Sequence, residues 1–135
     1  MNELKRRFLE NAALRHAPGP TVIGADSVIV GDIRGKGAFV IFGAIHGNGE
    51  LEGPLHLSVT ASWFGDIHAH QAIVAGKIIG ALIVDDKLEI GRFAVIRGRV
   101  SARRIAIATG AIVDGEIEIT SGAPLQHFEE KRGDE

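Results

Sequence analysis

The chain has 135 residues, of which 45% are hydrophobic and 5% aromatic, with 18 glycines, no tyrosine, no cysteine and a formal net charge of −2. That length fits one domain with an ordinary core, and the shortage of aromatics disfavours a globule built on large anchors while favouring thin layers of stacked Ile, Val and Leu. The near-neutral charge supplies no basic field for nucleic acid, and the lack of cysteine excludes disulfides, thiolate metal sites and a cysteine nucleophile while fitting a reducing compartment.

Residues 1–20 read as an N-terminal tail. Between Asn2 and His16 there is no glycine, and Leu4, Phe8, Leu9, Ala12 and Ala13 fall at helical spacing. The pattern predicts a short amphipathic helix, capped by Asn2, ended by Pro18-Gly19-Pro20 and marginal by itself. Lys5, Arg6 and Arg7 beside Leu4, Phe8 and Leu9 would make a weak anchor on an anionic membrane surface, diluted by Glu3 and Glu10. A solvated tail, or a helix covering the first turn of the next unit, is the plainer role. No signal-peptide core opens the chain, and no run approaches the roughly 20 apolar residues of a membrane span. These features predict a cytoplasmic protein, at most peripheral to the membrane.

From Thr21 a step of aliphatic, any residue, glycine, any residue, aliphatic keeps returning. It appears as Ile29-Val30-Gly31-Asp32-Ile33, Ile41-Phe42-Gly43-Ala44-Ile45, Trp63-Phe64-Gly65-Asp66-Ile67, Ile78-Ile79-Gly80-Ala81-Leu82, Ile96-Arg97-Gly98-Arg99-Val100 and Val113-Asp114-Gly115-Glu116-Ile117. Gly31, Gly47, Gly65, Gly80, Gly98 and Gly115 serve as equivalent marks, 15 to 18 residues apart. Such units bury a core only by stacking. Within each, a spacing of two is strand chemistry, and glycine suits a bend between two short strands. Three strands with their bends consume one period, so residues 21–120 are predicted to form one solenoid of about six turns.

Its middle is the least regular part. Gly49 stands where neighbouring turns carry an aliphatic, Pro54 fits a bend, and Trp63 fills an inward slot, with Gly49 leaving it room. After Thr120 the pattern breaks; residues 121–135 read as a disordered C-terminal tail in which Leu125 and Phe128 could fold back as a partial lid.

The ends of the solenoid are the candidate functional surface. A β-helix leaves unpaired backbone groups and an apolar cross-section at each end unless polar caps cover them. The first turn offers Val22, Ile23, Val28, Ile29 and Ile33, and the last offers Ile112, Val113, Ile117 and Ile119, with no convincing polar cap at either. Self-association through the terminal turns follows. Like ends joined by two-fold axes would give a filament without polarity, and head-to-tail joining a polar one.

Catalytic chemistry is scarce. His68 and His70 share a strand face, and His46 or His56 lies one turn away, but the sequence places no third metal ligand and surface histidines are commonly plain. Trp63 could stack on a ligand, although packing explains it better. Arg97, Arg99, Arg103 and Arg104 are close in sequence and could form a basic patch. No nucleophile elbow or phosphate loop appears, because the glycines follow the repeat and lead into no helix. No cofactor is expected.

Thr21-Val22-Ile23-Gly24, Gly31-Asp32-Ile33, Gly43-Ala44-Ile45-His46-Gly47 and Gly65-Asp66-Ile67, with the step continuing to Gly115-Glu116-Ile117, resemble the bactofilins. The resemblance covers about residues 21–119. It implies a right-handed, three-sided parallel β-helix of about six turns between flexible tails. It also implies a cytoskeletal scaffold that assembles end to end, without nucleotide, into non-polar filaments at the inner face of the cell membrane, and that serves cell shape or cell-wall enzymes. The chain departs from the family pattern at Asn48-Gly49 and Ser58, and in using His46, Trp63 and His68. The alternatives are a left-handed β-helix enzyme of the hexapeptide acyltransferase or gamma carbonic anhydrase type, whose strict six-residue rhythm Val74, Ile78 and Leu82 do not keep, and a monomeric β-helical adaptor.

Overall fold

The computed structural model describes residues 3–5 and 20–121, together with the backbone of 126–128. Apart from a helical turn at residues 3–5, the described chain is strand and bend. The first turn holds β1 (Thr21–Ile23), β2 (Val28–Val30) and β3 (Ile33–Gly35), and the second β4 (Phe39–Ile41), β5 (Ala44–His46) and β6 (Gly49–Leu51). The third holds β7 (Pro54–Leu57), β8 (Ser62–Phe64) and β9 (Ile67–Ala69), and the fourth β10 (Gln71–Val74), β11 (Lys77–Ile79) and β12 (Leu82–Val84). In the fifth, β13 (Lys87–Ile90) is followed by the eight-residue β14 (Val95–Ala102), and in the sixth, β15 (Arg104–Ala108) by β16 (Ile112–Ile119). Finally β17 (Gln126–Phe128) returns to the first wall.

Every pairing is parallel and joins one turn to the next. Three walls result. Wall 1 runs β1-β4-β7-β10-β13-β15-β17; wall 2 begins β2-β5-β8-β11 and wall 3 begins β3-β6-β9-β12. The long β14 and β16 serve walls 2 and 3 together. The solenoid of six turns stands as the sequence predicts. The disordered tail does not hold over residues 126–128, whose backbone pairs with β15 in the register Ala106↔Gln126 to Ala108↔Phe128. Leu125 and the other tail residues lie outside those described.

The core is a set of vertical columns. One reads Ile29, Ile45, Trp63, Ile78, Ile96, Val113, and a second Ile33, Gly49, Ile67, Leu82, Val100, Ile117. A third, on wall 1, reads Ile23, Ile41, Leu57, Val74, Ile90, Ile107. β-Branched and Leu side chains suit this geometry because each rests on its counterpart one turn away. Pro54 opens β7, where a missing N–H costs least.

The bend between walls 2 and 3 explains the repeat. Gly31, Gly47, Gly65, Gly80, Gly98 and Gly115 all have φ between 137° and 158°, a region that favours glycine. From Gly47 onward a Cβ would also lie only 1.9 to 2.1 Å from the carbonyl oxygen of the preceding glycine in the column. Beside the glycines runs a side-chain ladder. Asp32 Oδ1 accepts from the Asn48 amide at 2.9 Å, Asn48 Oδ1 from Asp66 at 3.0 Å, and Asp66 Oδ1 from Ala81 at 3.0 Å. Asn48, an apparent departure from the pattern, therefore keeps the ladder continuous.

Candidate functional site at the two ends of the rod

Burial separates the expected assembly residues into two groups. Ile23, Ile29 and Ile33 begin the interior columns, and Val113, Ile117 and Ile119 belong to the interior-facing alternation of β16. Burial falls off toward the ends of the first column, where no further turn of the described residues lies: Ile78 and Ile96 are 0% exposed in its middle, whereas Ile29 and Val113 at its ends are half-buried.

Val22, Val28 and Ile112 belong elsewhere. They stand 58%, 66% and 54% exposed and alternate with the inward residues, so period two sends their side chains out of walls 1 and 2. Their side chains therefore lie on the outer face of the rod. The period-two spacing that sets Ile29 and Ile33 apart from Val30 carries Val28 outward as well.

The backbone is open at the same places. Among the described residues β1, β2 and β3 each pair on one side only, with β4, β5 and β6, while β16 pairs only with β14 and β17 only with β15. A Cβ at Gly31 would meet nothing within 4 Å, whereas the equivalent atoms of later turns meet the preceding carbonyl. Among the described residues, then, nothing stacks on the first turn at Gly31.

Other candidate groups resolve into separate settings. Trp63 is fully buried, donates from Nε1 to the Gly47 carbonyl at 2.8 Å, and packs its ring edge against Gly49; it is a core residue. His46 stacks on Phe64, ring centroids 4.6 Å apart, on the outside of wall 2. His68 lies between Glu50 and Asp85, 2.8 Å from each, with His70 3.8 Å from Asp85. Hydrogen bonds to Asp85 and then Glu50 raise its pKa above the ordinary value. Among the described residues no three metal-binding side chains converge as an ion would need. The arginines do not form one patch: Arg99 pairs with Glu116 at the glycine bend, and Arg104 with Asp86 at the entrance to wall 1. That contact holds the Asp86 carboxyl below its ordinary pKa. A shallow depression outside wall 1, against Val40, His56, Ile73 and Glu89, contains no hydroxyl or thiol nucleophile beside its histidine. Of the proposed membrane anchor, Leu4 is 74% exposed and Lys5 lies beside it in the helical turn, while Arg6, Arg7, Phe8 and Leu9 lie outside the described residues. No helix of the described residues is long and apolar enough to cross a membrane.

Bactofilin BacO of Myxococcus xanthus (strain DK1622) is 32% identical over 99 residues, spanning 73% of this chain and 79% of that protein. The solid-state NMR structure of the cytoskeletal bactofilin BacA aligns with a TM-score of 0.62 at 21% identity, over 84% of this chain and 98% of that one, a likeness of fold. The 32% identity to a bactofilin does not favour the transferase or zinc-lyase alternative. The Bactofilin family model, described as polymer-forming cytoskeletal, matches residues 21–118, the solenoid itself, and the chain therefore belongs to the bactofilin family.

Proposed function

We propose that this bactofilin is a non-catalytic scaffold that polymerises through the end surfaces of its rod, joining first turn to first turn and last turn to last turn. Filaments without polarity would form and need no nucleotide, because the association energy comes from apolar cross-sections and open strand edges. The observation that carries this reading is the half-burial of Ile29, Ile33 and Val113, members of columns whose middle residues are fully buried. The cytoplasm, at the inner face of the cell membrane, is the proposed location. Leu4, Lys5, Arg6, Arg7, Phe8 and Leu9 would touch anionic lipid, and cell-wall enzymes would be clients.

Negative-stain electron microscopy of the purified full chain, without nucleotide or metal, tests the assembly. Long thin filaments are expected from the native sequence. Ile29→Asp and Ile117→Asp, each placing a charge in an apolar joint, should each cap growth at one end and give short particles. Combined, they should give monomers. Native-length filaments from the double variant would remove the end surfaces from the mechanism.

A further inference from the structure

We propose that Glu50, His68 and Asp85 form a proton-dependent clip across three successive turns on the outside of wall 3, closed while the His68 ring is an imidazolium and open once it is neutral. Glu50 lies in β6 and His68 in β9, in direct register, and Asp85 follows the end of β12. Nδ1 of His68 is 2.8 Å from Glu50 Oε2 and Nε2 is 2.8 Å from Asp85 Oδ1. A neutral imidazole has one N–H and one lone pair, and an ionised carboxylate has no proton to donate. Both contacts are hydrogen bonds together only when both ring nitrogens carry protons. Losing one proton turns one contact into a lone pair facing a carboxylate.

The surrounding charges favour the closed state. From β6 comes Glu50, with Arg34 of β3 next along its row. His68's register partner on β12 is the apolar Ile83, and beyond it stands Asp85, which also faces His70 at 3.8 Å. Asp86 is engaged by Arg104, and Asp66 by the Ala81 amide. Among the described ion pairs, Glu50 and Asp85 have histidine rings as their partners. The bonds to Asp85 and Glu50 also raise the ring's pKa from its ordinary 6.5. A folded pKa above the unfolded one stabilises fully below pH 6.5 and loses that contribution as pH rises through the higher folded value. The clip joins the second, third and fourth turns next to Gly49, the one position in its column without a side chain.

The test is nitrogen-15 NMR of the histidine rings in the assembled full-length protein between pH 5.5 and 9, with His68→Gln assigning the signal. Both His68 nitrogens should be protonated at the acid end of this range, and one should lose its proton as pH rises. The titration midpoint should lie above 6.5 in the native protein and fall back toward 6.5 in Glu50→Gln/Asp85→Asn. Across that midpoint, native thermal stability should drop by about 2 to 6 °C relative to the double variant, a modest shift because the groups are exposed. A midpoint at or below 6.5, or one unmoved by the double substitution, would overturn the clip. The ring signal reports independently of filament length, so failure of the end-joining scheme leaves this reading intact.

Discussion

Gly49 and Trp63 should behave as one energetic unit. A Cβ added at Gly49 would lie 2.6 Å from Trp63 Cζ2 and 2.8 Å from Cη2, about 1 Å inside normal carbon contact. The indole cannot back away readily, being 0% exposed and held through Nε1 to the Gly47 carbonyl. Overpacking of this kind costs about 1–3 kcal/mol, so Gly49→Ala should lower the melting temperature by about 5–20 °C in a fold of this size. Trp63→Ile, by leaving a void, should cost about 2–4 kcal/mol. Gly49→Val combined with Trp63→Ile recreates the aliphatic pairing found in adjacent turns, and should recover to within about 1 kcal/mol of native. Because Gly49→Val should cost at least as much as Gly49→Ala, the expected coupling between the sites is at least about 2 kcal/mol. Thermal unfolding by circular dichroism at fixed protein concentration, with Gly49→Val measured alone to complete the cycle, gives the comparison. The fluorescence of Trp63, the one tryptophan in the chain, reports whether Gly49→Ala pushes the ring toward water. Simple addition of the two single effects in the double variant would refute the shape-matching argument.

The glycine bend offers an internal control: Gly98→Ala meets a carbonyl oxygen at 2.1 Å and should destabilise by about 3 kcal/mol or more, whereas Gly24→Ala, whose nearest contact is Ser27 Oγ at 4.0 Å, should change stability by under about 1 kcal/mol. Equal melting curves for the two would remove the steric account. Asp66→Ala takes away the acceptor of the Ala81 amide and should cost about 1 kcal/mol. Ala81→Asn would offer the Arg99 amide the acceptor its predecessors enjoy, and an unchanged or lower midpoint in urea would show that the ladder adds nothing. Deleting residues 2–16 should leave filaments in electron micrographs while reducing co-sedimentation with anionic liposomes; equal sedimentation would dispose of the lipid anchor.

The period was readable because the backbone enforces it. Each glycine of the bend is held by a positive φ, and all but the first also by a carbonyl one turn away, so no other residue could blur the marks. The room for Trp63 was legible for a related reason, since a missing side chain and an oversized one stood one turn apart. Period two already set Ile29 and Ile33 apart from Val30, and what escaped was the outward side of Val22, Val28 and Ile112. The Glu50–His68–Asp85 contact escaped too, because its members are 17 and 18 residues apart and the period varies, so register across turns cannot be counted along the chain. β17 was hidden by a tail whose composition resembles disorder.

The parallel stacking has a diffraction consequence. Strands lie across the rod at the usual interstrand separation of about 4.8 Å, so six turns give a body about 25–30 Å long. Fibres of this protein aligned for X-ray diffraction would show a meridional reflection near 4.8 Å, the spacing by which amyloid is commonly recognised. Here that reflection would come from the native fold, joined by a longer axial repeat of the subunit if the rods meet end to end as proposed, and by itself it would be no sign of misfolding.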